Sequence, residues 1–189
     1  MWWPLHDRHN RAWITSLQAL LGASETCLVR FLTRALVRDL PAQPVVVDAS
    51  VYASWFGAYL TQNPLHITLS STARGNQASL GVETLLHEAG HTLTGPLDSA
   101  LAETAARARR ALPPELMHLM LFYTAGHAVR SYLPGHVSYA QVFGIWSQNR
   151  SAAGYYGLLE REWRPYLEGR RGFDDAIARV VGALPRQPV

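Results

Sequence analysis

The chain has 189 residues, which is long enough for one domain with a hydrophobic core. Hydrophobic residues make up 48% of it and charged residues 16%, and this composition excludes an intrinsically disordered protein. The net charge of +3 is too small to indicate a nucleic-acid-binding protein.

The sequence does not point to a membrane or to a particular compartment. No apolar run reaches the roughly 18 residues that a transmembrane helix needs, and polar residues interrupt the N-terminal segment where a signal peptide would be apolar. A cytoplasmic location is the default expectation, with export left open. Cys27 is the only cysteine, so no internal disulfide is expected, and the oligomeric state is not indicated.

Two helices and two strands are predicted in the first part of the chain. Apolar residues recur at helical spacing over residues 11–22 and 24–39, with Ser24 as a candidate N-cap. Residues 45–49 and 66–71 are β-branched and apolar between turn residues, which predicts short strands. Residues 72–79 are predicted to form a loop.

From Ser79 onward the spacing of apolar residues is helical. The predicted helices cover residues 79–94, 98–112, 114–133, 138–148, 153–168 and 173–184. Together the elements predict a mostly helical α+β fold over residues 1–189 as a single domain, with a small sheet that precedes the helix 79–94.

The helix predicted over residues 79–94 contains the pattern His-Glu-x-x-His, formed by His87, Glu88 and His91. Residues four apart lie one turn apart on the same helix face, so both imidazoles can bind one Zn²⁺. Glu88 is then positioned as a general base, because zinc lowers the pKa of a bound water toward 7. Residues that flank the motif are uncharged, which predicts a largely buried helix. Two buried histidines and a glutamate without a cation would be costly there.

The segment TLLHEAGHTL, residues 84–93, resembles the zincin metallopeptidases. This resemblance implies zinc as the cofactor and a peptide or protein as the substrate. It also implies that a strand shortly before the motif helix, here residues 66–71, borders the cleft and can pair with an extended peptide. LFYTAG, residues 121–126, is similar to a segment that follows the motif in a group of bacterial HExxH proteins.

A catalytic zinc usually has three protein ligands, and His127 is the favoured third ligand. It lies on the apolar helix 114–133, one turn after Tyr123, which is predicted to donate a hydrogen bond to an oxyanion. The metzincin subclass is excluded, because Thr94 and Leu97 stand where its pattern has glycine and histidine.

Three other residues are alternatives for the third ligand. Glu103 is similar to the glutamate that completes the site in gluzincins, although it can equally pair with Arg107 at i+4. Asp98 is expected to cap a helix. His118 lies nine residues before His127, about 180° around the helix, so both cannot face one metal, and we expect His118 in the core.

One further histidine and three tryptophans are less favoured candidates for the site. His136 follows a Pro-Gly turn and is expected in a surface loop. Trp55, Trp146 and Trp163 are expected chiefly as core and packing residues, with lining of a pocket as the alternative.

These observations predict a zinc-dependent hydrolase, most specifically a metallopeptidase. The first alternative is a metal-binding protein with the zincin fold but no peptidase activity. The second is a helical interaction domain that binds no metal.

Overall fold

The computed structural model describes residues 2–22, 24–41, 44–148 and 150–186. The fold is α+β and mostly helical, as the sequence predicts. In chain order the elements are α1 (Trp3–Leu21), α2 (Glu25–Leu36), β1 (Val46–Ser50), β2 (Ala58–Gln62), β3 (Leu65–Ser70), α3 (Ala78–His91), α4 (Gly95–Ala108), α5 (Leu116–Tyr132), α6 (Tyr139–Val142), α7 (Ile145–Gln148), α8 (Arg150–Leu158), a π-helical turn (Leu159–Trp163), α9 (Arg164–Leu167) and α10 (Phe173–Gly182).

The helix predicted over residues 24–39 is confirmed by α2, whose apolar face is buried. Its buried residues are Leu28, Phe31, Leu32, Ala35 and Leu36. Helix α1 begins eight residues earlier than the predicted residue 11, with Pro4 in its first turn. Apolar periodicity does not predict this early start, because the first turns of α1 are exposed and have no buried face.

The sheet has three strands in the order β1-β3-β2. β1 is parallel to β3, and β2 is antiparallel to it. β2 is not among the predicted strands, because most of its residues are exposed and show no apolar alternation. β3 matches the strand predicted at residues 66–71, but it is the central strand, so both of its edges are already paired. Among the described strands β1 and β2, and not β3, lie at the edges of the sheet, where an extended peptide could pair.

Helices α3 and α5 pack closely and run in opposite directions. A Cβ atom at Gly90 of α3 would lie 2.5 Å from Cδ1 of Leu121 on α5. A Cβ atom at Gly126 of α5 would lie 2.9 Å from Oε1 of Glu83 on α3. The two glycines therefore let the helices approach at two points along their length, and this contact fixes which residues of α5 lie opposite the motif.

The C-terminal helices cover the other side of α4 and α5. Trp163 is fully buried, and its indole N–H donates to Oγ1 of Thr124 at 2.9 Å. Its prediction as a core residue is confirmed. None of the described helices is both long and apolar enough to cross a bilayer.

The start of α3 is held against a preceding turn, and we expect Gly81→Ala to destabilise the fold by about 1–3 kcal/mol. A Cβ atom there would lie 2.5 Å from the carbonyl oxygen of Asn76, and backbone cannot move aside as a side-chain end can. The free energy of unfolding, measured with urea, tests this. Gly182→Ala is the control, because nothing lies within 4 Å of its added methyl group. Equal stability of the two variants would contradict the close contact.

Candidate metal centre

Helix α3 brings the two motif histidines together. The Nε2 atoms of His87 and His91 are 3.2 Å apart, and their rings are perpendicular with centroids 4.8 Å apart. His87 is buried and His91 is half-buried. The i, i+4 spacing therefore produces the pair that the sequence predicts.

A third histidine, His118, completes the cluster from α5. Its Nε2 lies 3.0 Å from Nε2 of His87. Leu121 of α5 packs on Gly90 of α3. Because the two helices are antiparallel, His118, one turn before Leu121, lies beside the end of α3 that carries His91. One ligand atom from each of the three histidines lies within 4.8 Å of the other two.

Two of the three nitrogen–nitrogen separations suit a tetrahedral metal ion. Zinc–nitrogen bonds of about 2.0–2.1 Å place two ligands of a tetrahedral ion about 3.3 Å apart. The separations of 3.0 and 3.2 Å are close to this value. Three imidazoles with a fourth position left open form a donor set that is used for catalytic zinc.

Burial favours the metal-binding, neutral form of each imidazole. Desolvation lowers the pKa of His87 well below its usual value, and the neighbouring charges of His91 and His118 lower it further. Desolvation also lowers the pKa of His91 and of His118. A neutral imidazole has a lone pair free for a metal, so the surroundings prepare the cluster for a cation.

Packing on an aromatic ring holds His87 in place. The His87 ring stacks on Phe122 with centroids 4.0 Å apart. Its buried Nδ1 atom has no hydrogen-bond partner among the described residues. Metal-binding histidines usually donate this N–H to a carboxylate or carbonyl, so here the contact with Phe122 sets the orientation of the ring.

The cluster opens into a cavity of about 670 Å³, and Glu88 faces the same cavity. Burial raises the pKa of Glu88 to about 7, a value suited to a group that exchanges protons near neutral pH. Trp55 also lines this cavity and is 90% exposed, so it is not the core residue that was expected. The other lining residues are Phe56, Glu83, Thr84, His87, His91, His118, Phe122, Tyr139, Phe143 and Ile145.

The predicted third ligand, His127, does not lie in this cluster. Its ring contacts Phe31 and Tyr123, with centroids 5.8 and 6.3 Å apart, on the other side of α5. His118 and His127 lie on opposite sides of α5, as their spacing predicts, and it is His118 that faces His87 and His91. Periodicity gave the angle between the two residues and could not say which side of α5 meets α3.

Tyr123 is also absent from the cavity at the cluster. Its hydroxyl donates to Oε1 of Glu160 at 2.6 Å, beside a separate cavity of about 270 Å³ that His127 lines. This position does not allow Tyr123 to act as the oxyanion donor that was predicted from its spacing to His127.

Glu103 and Asp98 are not members of the cluster either. Glu103 is largely exposed and lies 3.8 Å from Arg107, which is the i+4 pairing that was its alternative. Asp98 is exposed in the first turn of α4. Its negative charge acts to raise the pKa of His91, whereas desolvation lowers that pKa. It therefore influences the centre only at a distance.

A buried polar network beside the centre was not found from the sequence. His136 is buried rather than in a surface loop, and its Nε2 lies 2.7 Å from Oε2 of Glu83. The same carboxylate oxygen accepts the backbone N–H of Tyr139 at 2.8 Å. Glu83 precedes His87 by one turn on α3, and this spacing was the signal that could have placed it beside the centre.

The network places the Tyr139 ring in the cavity. The ring packs against Gly75, where a Cβ atom would lie 2.5 Å from Cε2, and against Phe143, with centroids 4.4 Å apart. Desolvation raises the pKa of Tyr139, and the charges of Glu83 and Glu88 raise it further. Its hydroxyl has no hydrogen-bond partner in the part of the chain that the structure describes.

Comparison of the chain with models of known protein families, with curated proteins and with solved structures finds no match. The interpretation of the centre therefore rests on the positions and the chemistry of its own side chains.

The cluster predicts that His118, and not His127, contributes to metal binding. We expect His118→Ala to weaken zinc binding by more than about 100-fold, since even the loss of a residue that only supports a ligand costs 10–100-fold. Competition with a chromophoric chelator measures the affinity. His127→Ala is the matched control on the same helix and should bind zinc like the unsubstituted chain. The reverse pattern would restore His127 as the ligand.

Proposed function

We propose that the protein is a zinc-dependent peptidase in which His87, His91 and His118 hold the metal. The observation that carries this proposal is the convergence of three imidazole nitrogens in a cavity that Glu88 also faces. Two of their separations, 3.0 and 3.2 Å, suit a tetrahedral ion, and all three nitrogens lie within 4.8 Å of one another. A purely structural zinc site is normally closed by four protein ligands, whereas this cluster has three and borders an open cavity.

The proposed chemistry divides between the metal and Glu88. Zinc, when bound, lowers the pKa of a water molecule and polarises the carbonyl group of the substrate. Glu88 takes a proton from the attacking water on its carboxylate and then gives that proton to the nitrogen of the leaving amine. Because it follows His87 directly on α3, Glu88 lies beside the metal ligands without belonging to the cluster.

A polypeptide is the substrate that the surroundings favour. His91 lines the main cavity and also a second cavity of about 600 Å³. The edge strand β2 begins two residues after Phe56, which lines the first cavity, and ends at Gln62, which lines the second, so β2 connects the two cavities. An extended peptide paired with β2 would cross the centre between the two cavities. This arrangement supports the resemblance to the zincins, with β2 in the role first expected of residues 66–71.

Tyr139 replaces Tyr123 as the proposed donor to the oxyanion. It lies in the cavity, its ring is fixed by Gly75 and Phe143, and its hydroxyl is free of hydrogen bonds to the described residues. The raised pKa keeps the phenol protonated, which is the state that can donate. Glu83 and His136 act as positioning residues because they hold the backbone of Tyr139.

Glu88→Gln tests the peptidase proposal directly. The amide cannot accept the proton, so we expect the rate of hydrolysis to fall by about 10²–10⁴-fold, with zinc affinity unchanged. Cleavage of a library of fluorescence-quenched peptides by the zinc-loaded chain measures the rate. Zinc binding without hydrolysis in the unsubstituted chain would support a metal-binding protein instead.

Tyr139→Phe should lower kcat by about 10²–10³-fold, as expected when one oxyanion donor is removed, with little change in KM. The control is Tyr123→Phe, which removes a hydroxyl that is bound to Glu160 outside the cavity and should leave kcat unchanged. Steady-state kinetics on one cleaved peptide compare the two variants. Equal activity of Tyr139→Phe and the unsubstituted chain would remove Tyr139 from the mechanism.

A further inference from the structure

One end of the molecule carries a concentration of exposed apolar side chains. They are Trp2, Trp3, Leu5, Tyr52, Trp55 and Phe56, here called the aromatic surface. Each is 57–90% exposed, and they are the six most exposed large apolar side chains of the described residues. Isolated exposed apolar residues are ordinary on proteins, but a group in one region marks a site of interaction.

The loop that follows β3 connects the two parts of the aromatic surface. On one side it contacts α1, where the ring of His9 lies 3.1 Å from the carbonyl oxygen of Ser71. From there α1 continues by about 1.5 Å per residue, which places Trp3 roughly 9 Å beyond His9. On its other side the loop contacts the segment of Tyr52–Phe56, since Thr72 donates to the carbonyl oxygen of Val51. Both parts therefore adjoin this loop, and the region around the loop is what is called one end of the molecule.

This end of the molecule is also basic. Residues 2–11, 51–57 and 71–77 contain three arginines and one aspartate, so they account for most of the net charge of +3. The aspartate, Asp7, is paired with Arg11 at 2.8 Å. Arg8 and Arg74 are exposed and form no ion pair with a described residue. The guanidinium of Arg74 also lies 5.8 Å from the ring centroid of Phe143. Two exposed cations in the same segments as exposed aromatic side chains are complementary to a surface that is both apolar and negatively charged.

We propose that the aromatic surface binds to a lipid bilayer that contains anionic lipids. Tryptophan and tyrosine suit the interface of a membrane, because each has an apolar ring and one polar atom. A helix end and a loop tip can enter the headgroup region while Arg8 and Arg74 contact lipid phosphates. A symmetric dimer through this surface fits less well, since both faces of that interface would carry the same net positive charge.

Docking by this surface places the mouth of the metal centre at the membrane. Trp55 and Phe56 belong to the aromatic surface and also line the cavity of the centre. The inference goes beyond the proposed peptidase, because vesicle binding needs neither zinc nor Glu88. Glu88→Gln should therefore bind vesicles like the unsubstituted chain, so that a failure of hydrolysis and a failure of docking are distinguishable.

Sedimentation with sucrose-loaded vesicles tests the proposal. We expect binding to vesicles of equal parts phosphatidylcholine and phosphatidylglycerol, weakened by salt, with a blue shift of tryptophan emission. Trp55→Ser with Phe56→Ser should reduce binding at least about tenfold, because the apolar area that enters the interface is lost. Arg8→Gln with Arg74→Gln should reduce it roughly thirtyfold and remove the preference for anionic lipid.

Matched pairs elsewhere on the chain serve as controls. Val37→Ser with Val46→Ser removes two exposed apolar side chains outside the aromatic surface, and Arg30→Gln with Arg109→Gln removes two exposed cations that form no ion pair with a described residue. Both pairs should bind vesicles like the unsubstituted chain. Three results would overturn the proposal: no binding to anionic vesicles, equal loss in the control pairs, or a dimer in analytical ultracentrifugation that Trp55→Ser with Phe56→Ser dissociates.

Discussion

The close antiparallel contact of α3 and α5 is the constraint on which the centre depends. Gly90 and Gly126 remove side chains at two points, so the helices approach closely enough for His118 to reach the pair on α3. A larger residue at either position would force Leu121, or Ser138 and Glu83, to shift. Two residues with no side chain and no place in the cluster therefore contribute to the close packing around it.

Burial acts on the centre in two ways that favour the same outcome. It lowers the pKa values of the three histidines and raises that of Glu88, so that neutral forms are favoured while no cation is present. Neutral imidazoles bind metal, and a cation then offsets the cost of placing polar groups in an apolar helix pair. The stacking of His87 on Phe122 adds a fixed ring orientation without a hydrogen bond at Nδ1.

Different segments of the chain form different parts of the surroundings of the centre. Glu83 and His136 hold the segment that carries Tyr139, while β2 provides a free edge and the loop before it provides Trp55 and Phe56. These segments are far apart in the sequence. They meet because α3 runs past all of them, so the motif helix supports both the metal ligands and the walls of the cleft.

The helical α+β class, the position of the motif helix and the pairing of His87 with His91 follow from local periodicity, so the amino-acid sequence was enough to predict them. Periodicity also places His118 and His127 on opposite sides of α5, but which of them joins the histidine pair depends on the side of α5 that packs on α3, and this is a property of the tertiary structure. The same holds for the position of Tyr139 in the cavity and for the burial of His136, which depend on contacts across 53 or more residues. Local spacing cannot specify such contacts; packing between helices does.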